Sequence, residues 1–392
     1  MSAQLGADVV IVGARAGGAS TAMLLARAGL DVIVIDRSRY GLDTLSTHAL
    51  MRAAVLQLRR WDLIDKVAAA GTPAVPRVTF HYAAKSNTIE FEAGDELYAP
   101  RRTVLDPLLV DSAREAGARV LYGLTAIGVQ RDHTDRVTGV VAQDAGGHVV
   151  SIRARLVIGA DGINSATARF VGAPIERAAD GAMAFMYRYW SDVEIDGYEF
   201  AFNTAAAGGA IPTNDGLTNV FVGTFPDRLT TEPELYTDLL RATHPEMAER
   251  VLAGTPVGKT RRFSGRAGYM RRPVGPGWAL VGDAGYWKDP IAAHGISDAL
   301  RDAELLSRAV VSGFETGSLD DSLTQYHDDR NRLSSEFFAI TDRIARGEWT
   351  DNDIAHLLRD LSRSTDAELT ALTELGPWPG DARAATSSST IH

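Results

Sequence analysis

The amino-acid sequence predicts an α/β fold with a parallel-sheet domain assembled from separate stretches of chain, an inserted β-sheet domain and a C-terminal helical region. Short apolar runs at 8–12, 31–35 and 156–158 are typical of strands buried on both faces of a parallel sheet. Aromatic residues concentrate between positions 181 and 225 in alternating patterns, which indicate a second sheet. Long helical stretches follow.

The composition is that of an ordinary globular protein. The 392 residues are 45% hydrophobic and 23% charged, with a formal net charge of −10 and no cysteine. The negative charge argues against nucleic acid or an anionic membrane as a partner. The lack of cysteine excludes disulfides, thiolate metal sites and cysteine nucleophiles. No apolar run is long enough to span a bilayer, and we expect a cytoplasmic enzyme; the oligomeric state is left open.

The first 36 residues form a complete βαβ unit. Strand 8–12 is followed by an Ala/Leu-rich helix at 19–28, which Gly29 ends. Strand 31–35 then ends in Asp36. This order is typical of the start of a dinucleotide-binding domain.

The remaining elements follow from the same rules of periodicity and turn chemistry. Further strands are predicted within 119–150 and at 156–158 and 279–281, and a hairpin at 78–91 with its turn near residues 86–87. Helices are predicted at 45–70, 103–116, 233–252, 297–311 and 319–344.

These elements group into two domains and a tail. We predict that the parallel-sheet domain comprises residues 1–72, 102–175 and 271–375, the last stretch including the C-terminal helices. The inserted domain would comprise residues 73–101 and 176–270. The tail 376–392 is rich in Gly, Pro, Ser and Thr, which predicts disorder.

A glycine-rich turn, Gly13-Ala-Arg15-Ala16-Gly17-Gly18, joins the first strand to the first helix. Gly13 permits the tight turn, Gly18 lets the helix pack on the strand, and the helix N-terminus offers N–H groups to a pyrophosphate. Asp36 has the spacing of a carboxylate that binds both hydroxyls of an adenosine ribose. Arg15 replaces the usual middle glycine, so its side chain either points away from the phosphates or covers them as a counter-charge. A βα turn without a ligand is the alternative.

A second segment places Asp161 and Gly162 directly after strand 156–158, with Ser165 near a helix start. A buried strand that ends in small residues and an acid suits a ligand contact. The same pattern also fits a loop with a helix cap.

The third segment is the most specific of the three. Gly282 permits close approach of the backbone to a ligand, and Asp283 can hydrogen-bond a polyol hydroxyl. Pro290 and then His294-Gly295-Ile296-Ser297 lead into a helix, whose N-terminal N–H groups stabilise a developing anion. The three segments together indicate one ligand that is too large for a single βαβ unit.

In this order the segments resemble the FAD-dependent aromatic hydroxylases of the para-hydroxybenzoate hydroxylase type, the single-component flavoprotein monooxygenases. The resemblance spans residues 7 to about 312, and it is strong in the parallel-sheet part and weak in the aromatic-rich insertion. It implies a Rossmann-like FAD-binding domain. The predicted FAD-binding residues are Gly13, Arg15, Ala16, Gly17, Gly18, Asp36, Arg37, Arg102, Asp161, Asp283, Pro290, Gly295, Ile296 and Ser297.

The resemblance also implies roles. Gly13, Gly17 and Gly18 would hold the pyrophosphate, Asp36 the adenosine ribose, Arg102 the flavin linker and Asp283 the ribityl or pyrophosphate region. Pro290 and residues 295–297 would lie against the isoalloxazine, and Asp161 would contact both FAD and NAD(P)H.

Two histidines are the predicted catalytic candidates. His294 lies beside the isoalloxazine segment and could relay protons or contact the flavin. His48 opens a helix that passes near the flavin by resemblance, and its alternative is an ordinary polar residue at a helix start. Tyr187, Tyr189 and Trp190 line a substrate cavity or form a plain sheet core.

The predicted function is an FAD-dependent monooxygenase that uses NAD(P)H and O₂ to hydroxylate an aromatic or polycyclic small molecule. Arg37 and Arg39 favour the 2′-phosphate of NADPH. No Ser/His/Asp arrangement or metal cluster stands out, and a flavin supplies the chemistry itself. Halogenases share the fold, but their Trp-x-Trp segment and active-site lysine have no counterpart here.

Three other functions are open. A flavin-dependent C=C reductase of the geranylgeranyl-reductase kind shares the fold. A non-catalytic protein that sequesters a ligand, with or without flavin, is conceivable because of Arg15. A plain NAD-dependent dehydrogenase fits least, since it leaves the segments at Asp161 and Asp283 without a role.

Overall fold

The computed structural model of the chain describes residues 4–82, 85–204 and 206–380. Parallel strands buried on both faces form the centre of the larger sheet, as predicted. Strand β1 (Gln4–Val12) pairs with β2 (Val32–Asp36) on one side and with β8 (Val149–Gly159) on the other. Beyond these, β2 pairs with β5 (Arg119–Tyr122), and β8 pairs with β17 (Trp278–Leu280). This parallel core confirms the predicted α/β fold class.

The other strands of this sheet are antiparallel additions. They are β6 (Thr125–Arg131), β7 (Val137–Gln143) and β16 (Val274–Gly275). The helices of this part of the chain are α1 (Ala16–Arg27), α2 (Arg52–Arg60), α3 (Ile64–Ala69), α4 (Arg102–Glu115), α5 (Ala166–Phe170), α8 (Gly295–Thr316), α9 (Leu319–Arg346) and α10 (Asp351–Glu374).

A second sheet is mainly antiparallel. Its strands, in spatial order, are β14 (Thr255–Phe263), β10 (Ala184–Ser191), β13 (Thr218–Thr224), β12 (Ala207–Pro212), β11 (Tyr198–Phe202), β3 (Arg77–Tyr82) and β4 (Lys85–Glu90). One face shares a hydrophobic core with the parallel-sheet part, and helices α6 (Leu235–Thr243) and α7 (Pro245–Ala253) cover the other. A small third sheet contains β9 (Ile175–Ala178), β15 (Tyr269–Arg271) and β18 (Tyr286–Trp287).

Three predicted elements differ in the structure. The helix predicted at 45–70 is the pair α2 and α3, and the residues before Arg52 form an irregular loop. The helix predicted at 233–252 is broken into α6 and α7 because Pro245 has no N–H for the preceding helix. Ser86 and Asn87, near which the hairpin turn was predicted, instead belong to β4, and Ser86 pairs with His81.

The C-terminal end also differs from expectation. Helix α10 was not predicted, although Thr350 and Asp353 form a capping box at its start. The tail predicted to be disordered begins with residues 376–380, which are packed: Trp378 is 4% exposed and lies under Arg308. Residues 381–392 lie outside the described residues.

Candidate functional site

The glycine turn after β1 has the close contacts that its sequence predicts. Gly13 has φ of 108°, and a Cβ there would lie 2.3 Å from the carbonyl oxygen of Ala160. A Cβ on Gly18 would lie 1.9 Å from the carbonyl oxygen of Gly13. A Cβ on Gly17 would lie 3.6 Å from the Ala299 and Val281 side chains and 3.8 Å from the carbonyl oxygen of Ala299, all of which is ordinary van der Waals contact. Gly13 and Gly18 are therefore required by packing, whereas Gly17 is not.

Arg15 fits this turn because its backbone is extended, with φ of −96°. The N-terminus of α1 therefore begins at Ala16 with its N–H groups free of intrahelical acceptors. Arg102 binds the Asp106 carboxylate through Nε and Nη2 at 2.9 and 3.0 Å, and Arg15 Nη1 lies 3.8 Å from the same carboxylate. Arg15 Nη1 is buried and has no hydrogen-bond partner among the described residues. Two guanidinium groups share one carboxylate, so the cluster has surplus positive charge.

Asp36 lies at the end of β2, beside the turn, where the sequence places it. Its Oδ2 accepts a hydrogen bond from Ala14 N at 2.8 Å, and its Oδ1 accepts bonds from the N–H and hydroxyl of Ser38 at 2.7 and 2.5 Å. A carboxylate accepts about four hydrogen bonds. Asp36 therefore holds the turn against β2 and retains room for one ribose hydroxyl rather than the two predicted.

The carboxylate of Asp161 caps α5. It accepts hydrogen bonds from Ala166 N at 2.8 Å and from Thr167 N at 2.9 Å, and further bonds from the hydroxyls of Ser165 and Thr167. Three of these bonds go to Oδ2, whereas Oδ1 accepts only the one from Ser165. The helix-cap alternative thus describes the position of Asp161, and Oδ1 keeps room for one further donor, so the contact of its side chain with FAD and NAD(P)H stays a prediction.

Asp283 lies in a short turn that begins at Gly282, whose φ is 58°. Its carboxylate is half-buried and makes no hydrogen bond to another residue in the described ranges. Burial raises the pKa of Asp283 to about 6, and Lys288 and Arg102 partly oppose this shift. The Tyr269 hydroxyl lies 2.7 Å from the Asp283 carbonyl oxygen and 3.0 Å from that of Ile163, so it connects the second and third segments.

The segment from Pro290 to Ser297 turns sharply into α8. Asp289 caps the turn at Pro290 by accepting a hydrogen bond from Ile291 N at 2.9 Å. Ala293 has φ of 54°, an uncommon value for a residue other than glycine. Gly295 is exposed and Ile296 half-buried at the first turn of α8, where N–H groups have no intrahelical acceptor. Ser297 is fully buried, and its hydroxyl accepts a bond from Met51 N at 3.2 Å.

His294 and His48 are both buried and uncharged. Burial and the nearby Lys288 lower the pKa of His294 to about 3, and its Nδ1 donates to the carbonyl oxygen of Ala292. Burial and nearby arginines lower the pKa of His48 to about 3. His48 Nε2 lies 2.6 Å from the hydroxyl of Tyr189. Neither imidazole acts as a cation at neutral pH.

The aromatic residues of β10 divide between the two faces of the second sheet. Tyr187 and Tyr189 lie in the core shared with the parallel-sheet part. Trp190 lies on the other face, where its Nε1 donates to the Tyr236 hydroxyl at 3.1 Å. Only the two tyrosines can contribute to a substrate cavity, because neighbouring residues of a strand point to opposite faces.

A narrow crevice with about 10 Å³ of free volume, room for about one water molecule, lies between the second sheet and the C-terminal end of α9. Ile291, in the turn after Pro290, forms part of its wall. Except for Asn203 and Thr204, its lining residues are apolar or glycine: Met183, Phe202, Ala206, Ala207, Phe225, Ile291, Ile344, Gly347 and Trp349.

A groove of about 460 Å³ runs beside the end of β2 and is lined by Arg37, Arg39, Tyr40 and Tyr122. Both arginines are exposed. Within the described ranges, no group of three or more His, Asp or Glu residues could hold a metal ion. No helix in the same ranges is long and apolar enough to cross a membrane.

The site fits a dinucleotide that bears a pyrophosphate and a polyol. The turn at Gly13 and Gly18 admits no side chain, the buried Nη1 of Arg15 lacks a partner, and the Asp283 carboxylate is free to accept. Helix α1 directly follows β1 of the parallel sheet, and α8 comes after β17 of the same sheet, with β18 between them. These features define a dinucleotide-binding α/β protein.

The chain belongs to the FAD binding domain family, whose family model matches residues 6–340. It is an FAD-dependent oxidoreductase. Hydroxylases of the para-hydroxybenzoate hydroxylase type, halogenases and geranylgeranyl reductases share this family. Membership therefore confirms FAD and leaves the type of reaction to be inferred.

Similar proteins include reductases. A digeranylgeranylglycerophospholipid reductase of Methanothrix thermoacetophila is 29% identical over 326 residues, covering 79% of each chain. A menaquinone reductase of Mycolicibacterium smegmatis is 27% identical over 368 residues, covering 87% of this chain and 83% of the relative. A solved flavin-dependent brominase superposes with a TM-score of 0.77 over 94% of this chain and all of its own, at 19% identity, which shows a shared fold.

Several residues of the site were missed from the sequence. Tyr269 connects two segments through contacts with residues 14 and 106 positions away. Lys288 is 5% exposed, contacts Asp298 and lies 4.8 Å from the ring centre of Phe337. The sequence around Lys288 gave no sign that this lysine is buried, because its partners come from α8 and α9.

Proposed function

We propose that this oxidoreductase reduces carbon–carbon double bonds in a long apolar substrate of the isoprenoid type. The observation that carries the proposal is the similarity to reductases over most of the chain, one of which is by name a digeranylgeranylglycerophospholipid reductase. The lining of the crevice, which includes Ile291 in the turn that leads to α8, supports an apolar substrate. Because the crevice has room for about one water molecule, its side chains must move apart to admit such a substrate.

Residues of the chain are proposed to hold FAD as follows. The N–H groups at the start of α1 and the guanidinium of Arg15 bind the pyrophosphate, where the surplus positive charge beside Asp106 offsets its negative charge. Asp36 accepts one ribose hydroxyl, and Asp283 accepts a ribityl hydroxyl. The first turn of α8 directs N–H groups at the electron-rich edge of the isoalloxazine.

When bound, FAD supplies hydride-transfer chemistry. The chain then has to place the double bond against the flavin and exclude water. The side chains that line the crevice would do both once they part to admit the substrate, because they are apolar and Ile291 belongs to the turn between Asp289 and α8. That NAD(P)H reduces the flavin, with Arg37 and Arg39 selecting a 2′-phosphate, remains a prediction.

Aromatic hydroxylation is the second candidate. Phe185, Tyr187, Tyr189, Phe200 and Phe221 lie on the inner face of the second sheet, and such a face suits a flat aromatic molecule. The same residues also pack against one another, with ring centres of Phe185 and Phe221 6.2 Å apart. The inner face therefore gives this candidate less support than the similar reductases give to reduction.

Two reactions, one anaerobic and one in air, separate the two candidates. The FAD-loaded protein, reduced with dithionite under strictly anaerobic conditions, is mixed with an unsaturated geranylgeranyl lipid. We expect the flavin to reoxidise and the lipid to gain two hydrogens per double bond, as read by mass spectrometry. In air, phenols added with NADPH are expected to cause no uptake of O₂ beyond that of the protein with NADPH alone.

The matched control is the Asp283→Ala variant under the same conditions, which is expected to lack FAD and to leave the lipid unchanged. Stoichiometric oxygen uptake with incorporation of one oxygen atom into a phenol, and an unchanged lipid in the anaerobic reaction, would overturn the proposal in favour of hydroxylation.

Asp283 is expected to control FAD affinity and its pH dependence. Asp283→Ala should lose FAD but fold with an unchanged circular dichroism spectrum, because no other described residue forms a hydrogen bond with the carboxylate that is removed. The pKa of about 6 means that the carboxylate takes up a proton as pH falls from 7 to 5. A hydroxyl donor favours the ionised form, so the Kd of FAD should rise over this range.

Fluorescence titration of FAD at several pH values measures this effect. Asp283→Asn keeps the shape of the side chain and removes its titration, so its Kd should be high and flat across the range. A stoichiometric yellow protein from Asp283→Ala would contradict the assignment of Asp283.

A further inference from the structure

His48 is a buried polar residue in an uncommon backbone conformation. It is 0% exposed and has φ of 70°, in the left-handed region that residues other than glycine rarely adopt. Its Nε2 is paired with the Tyr189 hydroxyl at 2.6 Å. Its Nδ1 is buried and has no hydrogen-bond partner in the described part of the chain. Backbone strain and a buried group without a partner are both unfavourable for folding, and such features concentrate at functional sites.

The protons on this pair can be assigned. Burial raises the pKa of Tyr189 to about 12, so its hydroxyl keeps its proton. Burial and the guanidinium groups of Arg102, Arg101 and Arg261 keep the His48 ring neutral. The Tyr189 hydroxyl therefore donates to Nε2. A neutral imidazole with an acceptor at Nε2 carries its proton on Nδ1, so the atom without a partner is an N–H donor.

The surroundings of His48 define what this donor can bind. Three residues further on, Met51 N donates to the Ser297 hydroxyl at 3.2 Å, so the loop lies against the N-terminus of α8. Tyr189 lies on the inner face of β10, with Arg101 4.9 Å above its ring centre. The donor thus lies where a helix N-terminus, arginines and the inner sheet face meet. A neutral N–H in a positive field suits an oxygen that carries partial or full negative charge.

We propose that His48 Nδ1–H donates a hydrogen bond to a carbonyl or enolate-type oxygen of a ligand bound between the N-terminus of α8 and β10, with Tyr189 as the residue that positions the ring and fixes its tautomer. This inference rests on the proposed function, because it places the ligand at the same site. Two sources present this oxygen chemistry, namely the carbonyl groups of the isoalloxazine and a carbonyl of the substrate's head group.

Nitrogen-15 NMR of histidine-labelled protein tests the donor directly, without turnover. The His48 signals are assigned by their loss in His48→Asn, a substitution that tolerates the left-handed backbone. We expect a protonated Nδ1 in the wild type and a mixture of tautomers in Tyr189→Phe. Addition of FAD alone should shift Nδ1 if the oxygen belongs to the flavin, whereas a shift only when menadione is added to the FAD-bound protein assigns it to a substrate carbonyl.

A protonated Nε2 in the wild type, or an Nδ1 signal that neither FAD nor menadione moves, would overturn the proposal. Failure of the proposed function gives a different result from failure of this proposal. If only the proposed function is wrong, the lipid stays unreduced in the anaerobic assay while FAD or menadione still shifts the Nδ1 signal.

Binding of the same two probes supplies the second readout. One of the two probes, FAD or menadione, is expected to shift the Nδ1 signal. Tyr189→Phe should bind that probe about tenfold more weakly than the wild type, which is the usual scale of one lost hydrogen bond. Tyr236→Phe is the matched control, since it removes a buried hydroxyl from the other face of the same sheet, where it donates to Val220 O at 3.1 Å. Equal losses in both variants would show that the effect is on the fold and would contradict the proposal.

Discussion

Gly18→Ala is expected to abolish FAD binding and to destabilise the whole protein. The added Cβ would lie 1.9 Å from the carbonyl oxygen of Gly13 and 3.0 Å from the Cβ of Ala160. The first of these is a backbone atom, so the clash cannot be relieved by turning a side chain. Helix α1 would have to move away from the ends of β1 and β8, and its N-terminus would lose its place at the pyrophosphate. Overpacking of this kind costs about 1–3 kcal/mol, and a backbone clash lies at the upper end.

Gly17→Ala is a matched control in the adjacent position. Its Cβ would meet the Ala299 and Val281 side chains at 3.6 Å, which is ordinary van der Waals contact. Alanine also favours the helix by about 1 kcal/mol relative to glycine. We therefore expect this variant to bind FAD and to be as stable as the wild type or more so.

Urea unfolding and the ratio of flavin to protein absorbance measure both effects. A Gly18→Ala protein with wild-type stability and a full complement of FAD would show that α1 can shift at no cost. A Gly17→Ala protein that is stable but free of FAD would show that the pyrophosphate contacts the Cα of Gly17 directly.

The parts of the site that the sequence predicted are those set by local backbone geometry. Gly13 and Gly18 were recognised because a tight βα turn excludes side chains whatever the rest of the chain does. Asp36 was recognised by its distance from that turn. The strands of the parallel sheet were predictable because burial on both faces leaves a continuous apolar run.

Two further features could have been predicted from local patterns. Strand alternation already puts Tyr187 and Tyr189 on one face and Trp190 on the other. Thr350 and Asp353 have the spacing of a capping box, which indicates the start of α10.

Other features depend on contacts between distant residues. Asp161 suits a ligand contact or a helix cap equally well by sequence, and only the position of α5 shows that its carboxylate caps that helix. The pairing of His48 with Tyr189 joins residues 141 positions apart. The sequence indicated a flavin contact for His48 but gave no sign that one of its nitrogens is left without a partner.

The type of reaction was the least predictable property. The cofactor residues are shared by hydroxylases, halogenases and reductases, so motifs that hold FAD cannot distinguish them. What distinguishes them is the shape and polarity of the substrate site. The residues proposed to line it, among them Phe202, Phe225 and Ile344, come from separate parts of the chain and carry no motif.

Arg301→Met is expected to lower the free energy of unfolding by about 3–5 kcal/mol, because it removes the cation that pairs with Asp302 and Glu368 in a buried cluster of acids, where the second cation, Lys288, contacts Asp298. Arg301 is 1% exposed. It donates to Asp302 at 2.7 Å, to Asp298 at 3.2 Å and to Glu368 at 2.8 Å. These carboxylates raise the pKa of Arg301, so it is charged throughout the accessible pH range.

The cluster joins α8 to α10, because Arg301 belongs to α8 and Glu368 belongs to α10. Methionine fills much of the volume of arginine but offers no N–H group. Asp302 Oδ2 already lacks a hydrogen-bond partner among the described residues, so the loss of Arg301 leaves its charge uncompensated. Because α8 also presents the helix end assigned to the isoalloxazine, FAD affinity should fall together with stability.

Arg136→Met is the control for the loss of an arginine ion pair. Arg136 donates to both oxygens of Asp320 at 2.8 and 3.0 Å, but its side chain is 31% exposed and that of Asp320 60%. An exposed pair of this kind contributes about 0–1 kcal/mol, so this variant should unfold almost as the wild type does. Combining Arg301→Met with Glu368→Gln should restore part of the lost stability, because one unpaired charge is removed. Equal urea midpoints for Arg301→Met and Arg136→Met would show that water reaches the cluster and that its carboxylates need no internal cation.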